Sequence, residues 1–161
     1  MIDDLTQQEA DALFEMPKIP KEKRTYFFPG KGVKLTIPFL SSDYKEEFIF
    51  DISRHEIKVS KITYQNRVKK IFPLRRLDIE GPPHKNPFAE KVPLPLLAPY
   101  NGADIGCPHL HLYVELYMDK WAIPAEIALD FRVNDLFENM LVFSKYCNII
   151  NLPIIENQDP E

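Results

Sequence analysis

Glycine is scarce in this chain, five residues against fifteen prolines in 161. That balance excludes flexible glycine-rich linkers and predicts stiff, extended connections. There is no glycine-rich phosphate loop, no Gly-x-Ser-x-Gly elbow and no dinucleotide fingerprint, so the common nucleotide-binding and serine-hydrolase patterns are absent. Cysteine is almost missing. Cys107 and Cys147 offer neither a disulfide framework nor a zinc-finger spacing, which predicts two reduced thiols and a cytoplasmic protein. No apolar run approaches the roughly 20 residues needed to span a bilayer. The start, Met1-Ile2-Asp3-Asp4, lacks the basic and apolar regions of a signal peptide. These absences predict one domain over residues 1–161 with no membrane segment, a core over 5–153 and a polar tail at 156–161.

The net charge of −4 hides a segregation. Residues 1–17 sum to −5, residues 18–91 to +8 and residues 92–161 to −7. The basic middle holds Arg54, Lys58, Lys61, Arg67, Lys69, Lys70, Arg75 and Arg76. Gathered on one surface, they would bind a polyanion such as RNA, or an acidic protein partner. Scattered, they are solubilising charge or edge protection.

Thr6-Gln7-Gln8-Glu9 is a capping-box pattern and predicts a helix over 6–15 that ends before Pro17. Residues 17–24 read as a linking arm. Alternating apolar residues predict strands over 33–39 and 46–53 as a hairpin, then over 56–65 and 67–79, with a bulge or bend at Pro73. Residues 80–107 carry six prolines and read as a long functional loop. A helix is expected over 134–147, with Asn134 as N-cap and Leu136, Met140, Phe143 and Cys147 on its buried stripe. The fold class is α+β: a mostly antiparallel sheet of about five or six strands, a short N-terminal helix, and a C-terminal helix packed on one face.

The strand Cys107-Pro108-His109-Leu110-His111-Leu112-Tyr113-Val114-Glu115 carries the chemistry. Its period of two puts Leu110, Leu112 and Val114 on one face and His109, His111, Tyr113 and Glu115 on the other. His84 lies on the proline-rich loop that leads into this strand, so it is expected to fold back over the polar face, with Lys120 facing in and Trp121 as wall or floor.

Three segments stand out: Thr63-Tyr64-Gln65-Asn66-Arg67, Gly81-Pro82-Pro83-His84-Lys85-Asn86-Pro87, and the histidine strand followed by Asp119-Lys120-Trp121-Ala122. Over about residues 5–150 the chain resembles a family of small bacterial and phage-associated proteins without an assigned function that carries similar segments. The family's turn tends to continue into an Asp-Gly bend, where this chain has Phe88-Ala89 and a longer proline-rich stretch. The resemblance implies one folded unit and supplies no reaction.

Three readings follow. The first is a binding domain contacting RNA or an acidic partner, with Arg54, Lys58, Lys61, Tyr64, Arg67, Lys69, Lys70, Arg75, Arg76 and Trp121 as the surface. The second is metal-independent RNA cleavage, with His84, His109, His111, Tyr113 and Lys120 supplying acid, base and charge stabilisation. The third is a histidine-based metal site. No complete ligand pattern is present, so neither a metal nor any other cofactor is assigned from sequence. Whether the protein is an enzyme stays open.

Overall fold

A computed structural model describes residues 3–58, 60–130 and 135–157. Helix α1, Gln7–Glu15, opens on the expected capping box: Thr6 Oγ1 accepts the Glu9 amide and Glu9 Oε1 accepts the Thr6 amide. The strands follow as β1 (Lys18–Pro20), β2 (Tyr26–Phe27), β3 (Lys34–Ser41), β4 (Glu47–Arg54), β5 (Ile62–Val68), β6 (Phe72–Asp78), β7 (His84–Lys85), β8 (Asp104–Ile105), β9 (His109–Val114), β10 (Met118–Pro124) and β11 (Ile155–Glu156). Short 3-10 turns cover Pro95–Tyr100 and Ala125–Ile127, and helix α2 spans Leu136–Tyr146.

The architecture is α+β. The main sheet has seven strands, not five or six, in the order β1-β3-β4-β5-β6-β9-β10, and every pairing is antiparallel. The additional strand is β1, taken from the supposed linking arm, which extends the edge beside β3. Strand β5 starts at Ile62 instead of residue 56, because His55 Nδ1 accepts the Ile57 and Lys58 amides and turns the chain there. Ile57 is therefore exposed, and Val59 lies outside the described residues. The β5–β6 register shifts between Asn66 and Arg67, opposite Pro73, which has no amide hydrogen to give. Asp135 caps α2 by accepting the Glu138 amide at 3.0 Å; the expected cap, Asn134, lies outside the described residues. Among the described residues no helix is long and apolar enough to cross a membrane.

Alternation gives the sheet two unlike faces. One carries Ile37, Phe50, Ile52, Tyr64, Leu77, Leu110 and Trp121, all buried, and α2 lays Phe143 against Phe50 and Tyr64. Each such side chain contributes about 1.5–3 kcal/mol on burial. The opposite face carries two polar rows set by the cross-strand register. Thr36, Asp51, Gln65, Arg76 and His111 form one, and Lys34, Ser53, Thr63, Asp78 and His109 form the other.

Lys18 ties both helices to the sheet. It is fully buried, and its Nζ donates to the carbonyls of Phe14 (2.7 Å), Met16 (2.9 Å) and Cys147 (2.7 Å). It thus meets the C-terminal ends of α1 and α2, where a cation is favoured, and lies over the Phe48 ring at 4.7 Å. Burial pulls its pKa down to about 8, so at neutral pH it keeps three hydrogens for three acceptors. Lys18→Met leaves those carbonyls unpaired and should cost about 2–4 kcal/mol, read by urea denaturation. A loss below about 0.5 kcal/mol would contradict this assignment.

Candidate functional site

On the polar face, strand register places Arg76 beside His111 and Asp78 beside His109, with Thr63 on the other side of Asp78. The Asp78 carboxylate is the hub. Its Oδ1 accepts Thr63 Oγ1 at 3.1 Å and Arg76 Nε at 3.2 Å. Its Oδ2 faces His109 Nε2 at 3.2 Å and His111 Nε2 at 3.3 Å. Burial alone would raise the carboxyl pKa; hydrogen bonds from the two imidazoles, given when Nε2 carries a hydrogen, and the Arg76 charge outweigh burial and hold it well below the usual carboxylate range.

Both rings are buried, and each uses Nδ1 on a backbone carbonyl. His109 Nδ1 lies 3.1 Å from Ile105 O and His111 Nδ1 lies 2.7 Å from Asp119 O. A carbonyl only accepts, so Nδ1 carries a hydrogen in both rings; Nε2 then faces Asp78 as a donor when it carries a second hydrogen and as a lone pair when it does not. Arg76 Nη2 approaches His111 Nε2 at 2.9 Å, while Nη1 donates to Asp119 Oδ2 at 2.8 Å.

His84 completes the group from β7. Its ring centroid lies 4.6 Å from that of His111 and 6.0 Å from that of His109. Its Nε2 meets the Lys120 carbonyl at 2.7 Å, and burial pushes its pKa below the ordinary imidazole value. The loop that brings it there is held by side-chain amides. Buried Asn86 pairs with the backbone of edge strand β10, accepting the Ala122 amide at 2.8 Å and donating to the Ala122 carbonyl at 2.9 Å, and also donates to Tyr100 O at 3.0 Å. Asn101 does the same for the backbone of Ala89 at 2.9 and 2.8 Å. Together these elements enclose a pocket of about 230 Å³ lined by Lys61, Arg76, Asp78, His84, His109 and His111.

A family model described as a family of unknown function, DUF6978, matches residues 5–149. The chain belongs to this family. No curated protein and no solved structure matches it. Every residue of the pocket lies within the matched stretch.

Strand alternation brings together His109 and His111, and the loop adds His84 as expected. The other candidates lie elsewhere. Tyr113 is buried with its hydroxyl donated to Leu5 O at 2.8 Å and its ring edge-on to Phe72. The start of α1 covers that end of β9, and Gln7 exchanges hydrogen bonds with Glu115 there. Lys120 offers the site its carbonyl, while its side chain is exposed. Trp121 and Tyr64 are fully buried on the helix-covered face, and the Tyr64 hydroxyl bonds to the Leu136 carbonyl.

The basic residues do not share one surface. Arg54 is buried, donating to Pro29 O at 3.0 Å beside the Phe28 ring, and Arg75 stacks on Phe14 and donates to the Tyr146 hydroxyl. Arg67 is bound to Asp51 at 2.7 Å, Lys69 to Glu46 at 3.0 Å, and Lys58 to Glu80. Lys70 is exposed at a turn and Lys61 lines the pocket. Sequence reading missed Asp78. The only hint was its spacing of two from Arg76, which carries no information until β6 is paired with β9.

Asn86→Ala removes three hydrogen bonds, two of them buried, and should destabilise the protein by about 2–4 kcal/mol, with faster hydrogen exchange at the Ala122 amide. A loss under about 1 kcal/mol with unchanged exchange would show that the loop does not depend on it.

Proposed function

We propose that the chain carries a mononuclear divalent-metal centre, with Asp78 Oδ2, His109 Nε2 and His111 Nε2 as ligands, acting as a Lewis acid in a hydrolytic site. One observation carries the reading. Three electron-rich atoms converge, with Oδ2 at 3.2 and 3.3 Å from the two nitrogens, while both opposite ring nitrogens are committed to backbone carbonyls. Metal bonds of about 2.0–2.1 Å at tetrahedral angles set ligand atoms about 3.4 Å apart. Carbonyl bonds to the far nitrogen are the usual outer support of a metal-binding imidazole. A two-histidine, one-carboxylate set suits Zn²⁺ or Fe²⁺, and three protein ligands leave a coordination position for water or substrate.

Arg76 is the competing cation. Its Nη2 meets His111 Nε2 at 2.9 Å and reaches Asp78 Oδ2 at 3.5 Å, facing two of the three ligand atoms, while Nε and Nη1 hold Asp78 Oδ1 and Asp119 Oδ2. The guanidinium is a rigid plane, so an ion enters as the whole fork turns away from His111 and Asp78, with Asp119 Oδ2 still able to hold one of its nitrogens. This reading stands above the expectation of a basic RNA-binding surface, because that surface draws no support from the paired and divided cations.

The test is metal titration of chelator-treated protein purified without a histidine tag, using Zn²⁺ and, anaerobically, Fe²⁺. One equivalent should bind, and Asp78→Ala, His109→Ala and His111→Ala should each lower affinity at least about 100-fold. The other way to satisfy the same atoms is a proton on His109 Nε2, which makes an ion pair with Asp78. If the parent takes up neither metal and nitrogen NMR finds His109 doubly protonated, the centre is a buried salt bridge and the proposal fails.

A further inference from the structure

We infer that this pocket takes the phosphate group of a phosphorylated polyol, such as a sugar phosphate; the inference rests on the metal-centre reading and names its ligand. The cation balance supplies the first argument. Lys61 lines the pocket, and among the described residues its ammonium makes no hydrogen bond or ion pair. Glu80, which lines the same pocket, is bonded to Lys58 and Ser60. Asp119 answers Arg76 and Asp78 answers only one charge of a divalent ion, so the ion and Lys61 leave positive charge uncompensated at the pocket. A phosphate offers one oxygen to the ion's open position and another to the Lys61 ammonium, beside Arg76, which Asp119 holds.

Size and lining supply the second argument. At about 230 Å³ the pocket is below the roughly 300–1,000 Å³ of sites that enclose a whole drug-sized ligand, so it holds a group and not a large molecule. Beyond it, and sharing Thr63, Arg76 and Asp78 with it, a groove of about 420 Å³ runs over the open sheet face past Gln65, Ser53 and Lys34. Its lining is hydroxyl, amide and charge. Among the described residues no aromatic side chain lines it. Sites for single-stranded nucleic acid stack bases on aromatic rings, whereas hydroxyls, amides and carboxylates suit the alternating donors and acceptors of a polyol.

The test uses zinc-loaded protein, with metal content measured on the same samples. Glucose 6-phosphate should bind at least about tenfold more tightly than inorganic phosphate, and glucose should not bind measurably; a factor of ten is about 1.4 kcal/mol. Lys61→Ala should weaken glucose 6-phosphate at least about tenfold with one equivalent of zinc retained. Zinc-loaded protein that binds glucose 6-phosphate no better than the Lys61→Ala variant does would overturn the inference and leave the metal centre standing. A short single-stranded RNA that binds more tightly than glucose 6-phosphate would overturn the polyol assignment. Protein that takes up no zinc fails the metal-centre reading, and the inference falls with it.

Discussion

Asp78 is a carboxylate with little solvent, and much of the polar face of the sheet is arranged to compensate it. A buried charge persists only where partners replace its lost hydration. Here Thr63 comes from β5, Arg76 from β6, and His109 and His111 from β9, so one anion joins three adjacent strands. The demand passes outward through Arg76 to Asp119, and through the two imidazoles to the carbonyls of Ile105 and Asp119. Each ring is thereby fixed in direction, with Nδ1 on a carbonyl, before any ligand arrives, which is the preorganisation a metal or catalytic site needs.

The sheet makes this affordable by keeping its two faces apart. The apolar face is closed by α2, and Lys18 joins the C-terminal ends of both helices to the strands beneath. The polar face carries a helix only at the Tyr113 end of β9, where α1 begins, among the described residues. Over its His109 end lies the proline-rich loop, which β7 and β8 pair across and which Asn86 fastens to edge strand β10. A stiff loop with side-chain amides standing in for a missing strand serves two purposes. It blunts an edge that would otherwise be free to pair, and it sets His84 at a fixed distance from His111.

What could be read from the sequence follows from the range of each signal. The capping box at Thr6 and Glu9 and the alternation of His109 through Val114 are local patterns, and each maps directly onto an element. Alternation also put Tyr113 on the face of the histidines, but it cannot say what covers that face; α1 does so at Tyr113 and leaves His109 and His111 to the pocket. Summing charge along residues 54–76 ignored two facts set by pairing. Arg54 and Arg75 lie among aromatic rings on the helix side, and Asp51, Glu46 and Glu80 answer Arg67, Lys69 and Lys58 from other parts of the chain. Asp78 stood more than thirty positions before His111, in a strand whose partner only the register reveals. The chemically decisive residue was thus the one with no local signature.

The central claim concerns which atoms meet a metal, and X-ray absorption at the zinc edge reads those atoms directly. Protein loaded with one equivalent of zinc should show a first shell of nitrogen and oxygen alone at about 2.0–2.1 Å, with the outer-shell scattering of two imidazoles that disappears stepwise in His109→Ala and His111→Ala. A sulfur scatterer near 2.3 Å, which would implicate Cys107 or Cys147, or a shell without imidazole scattering, would contradict the account.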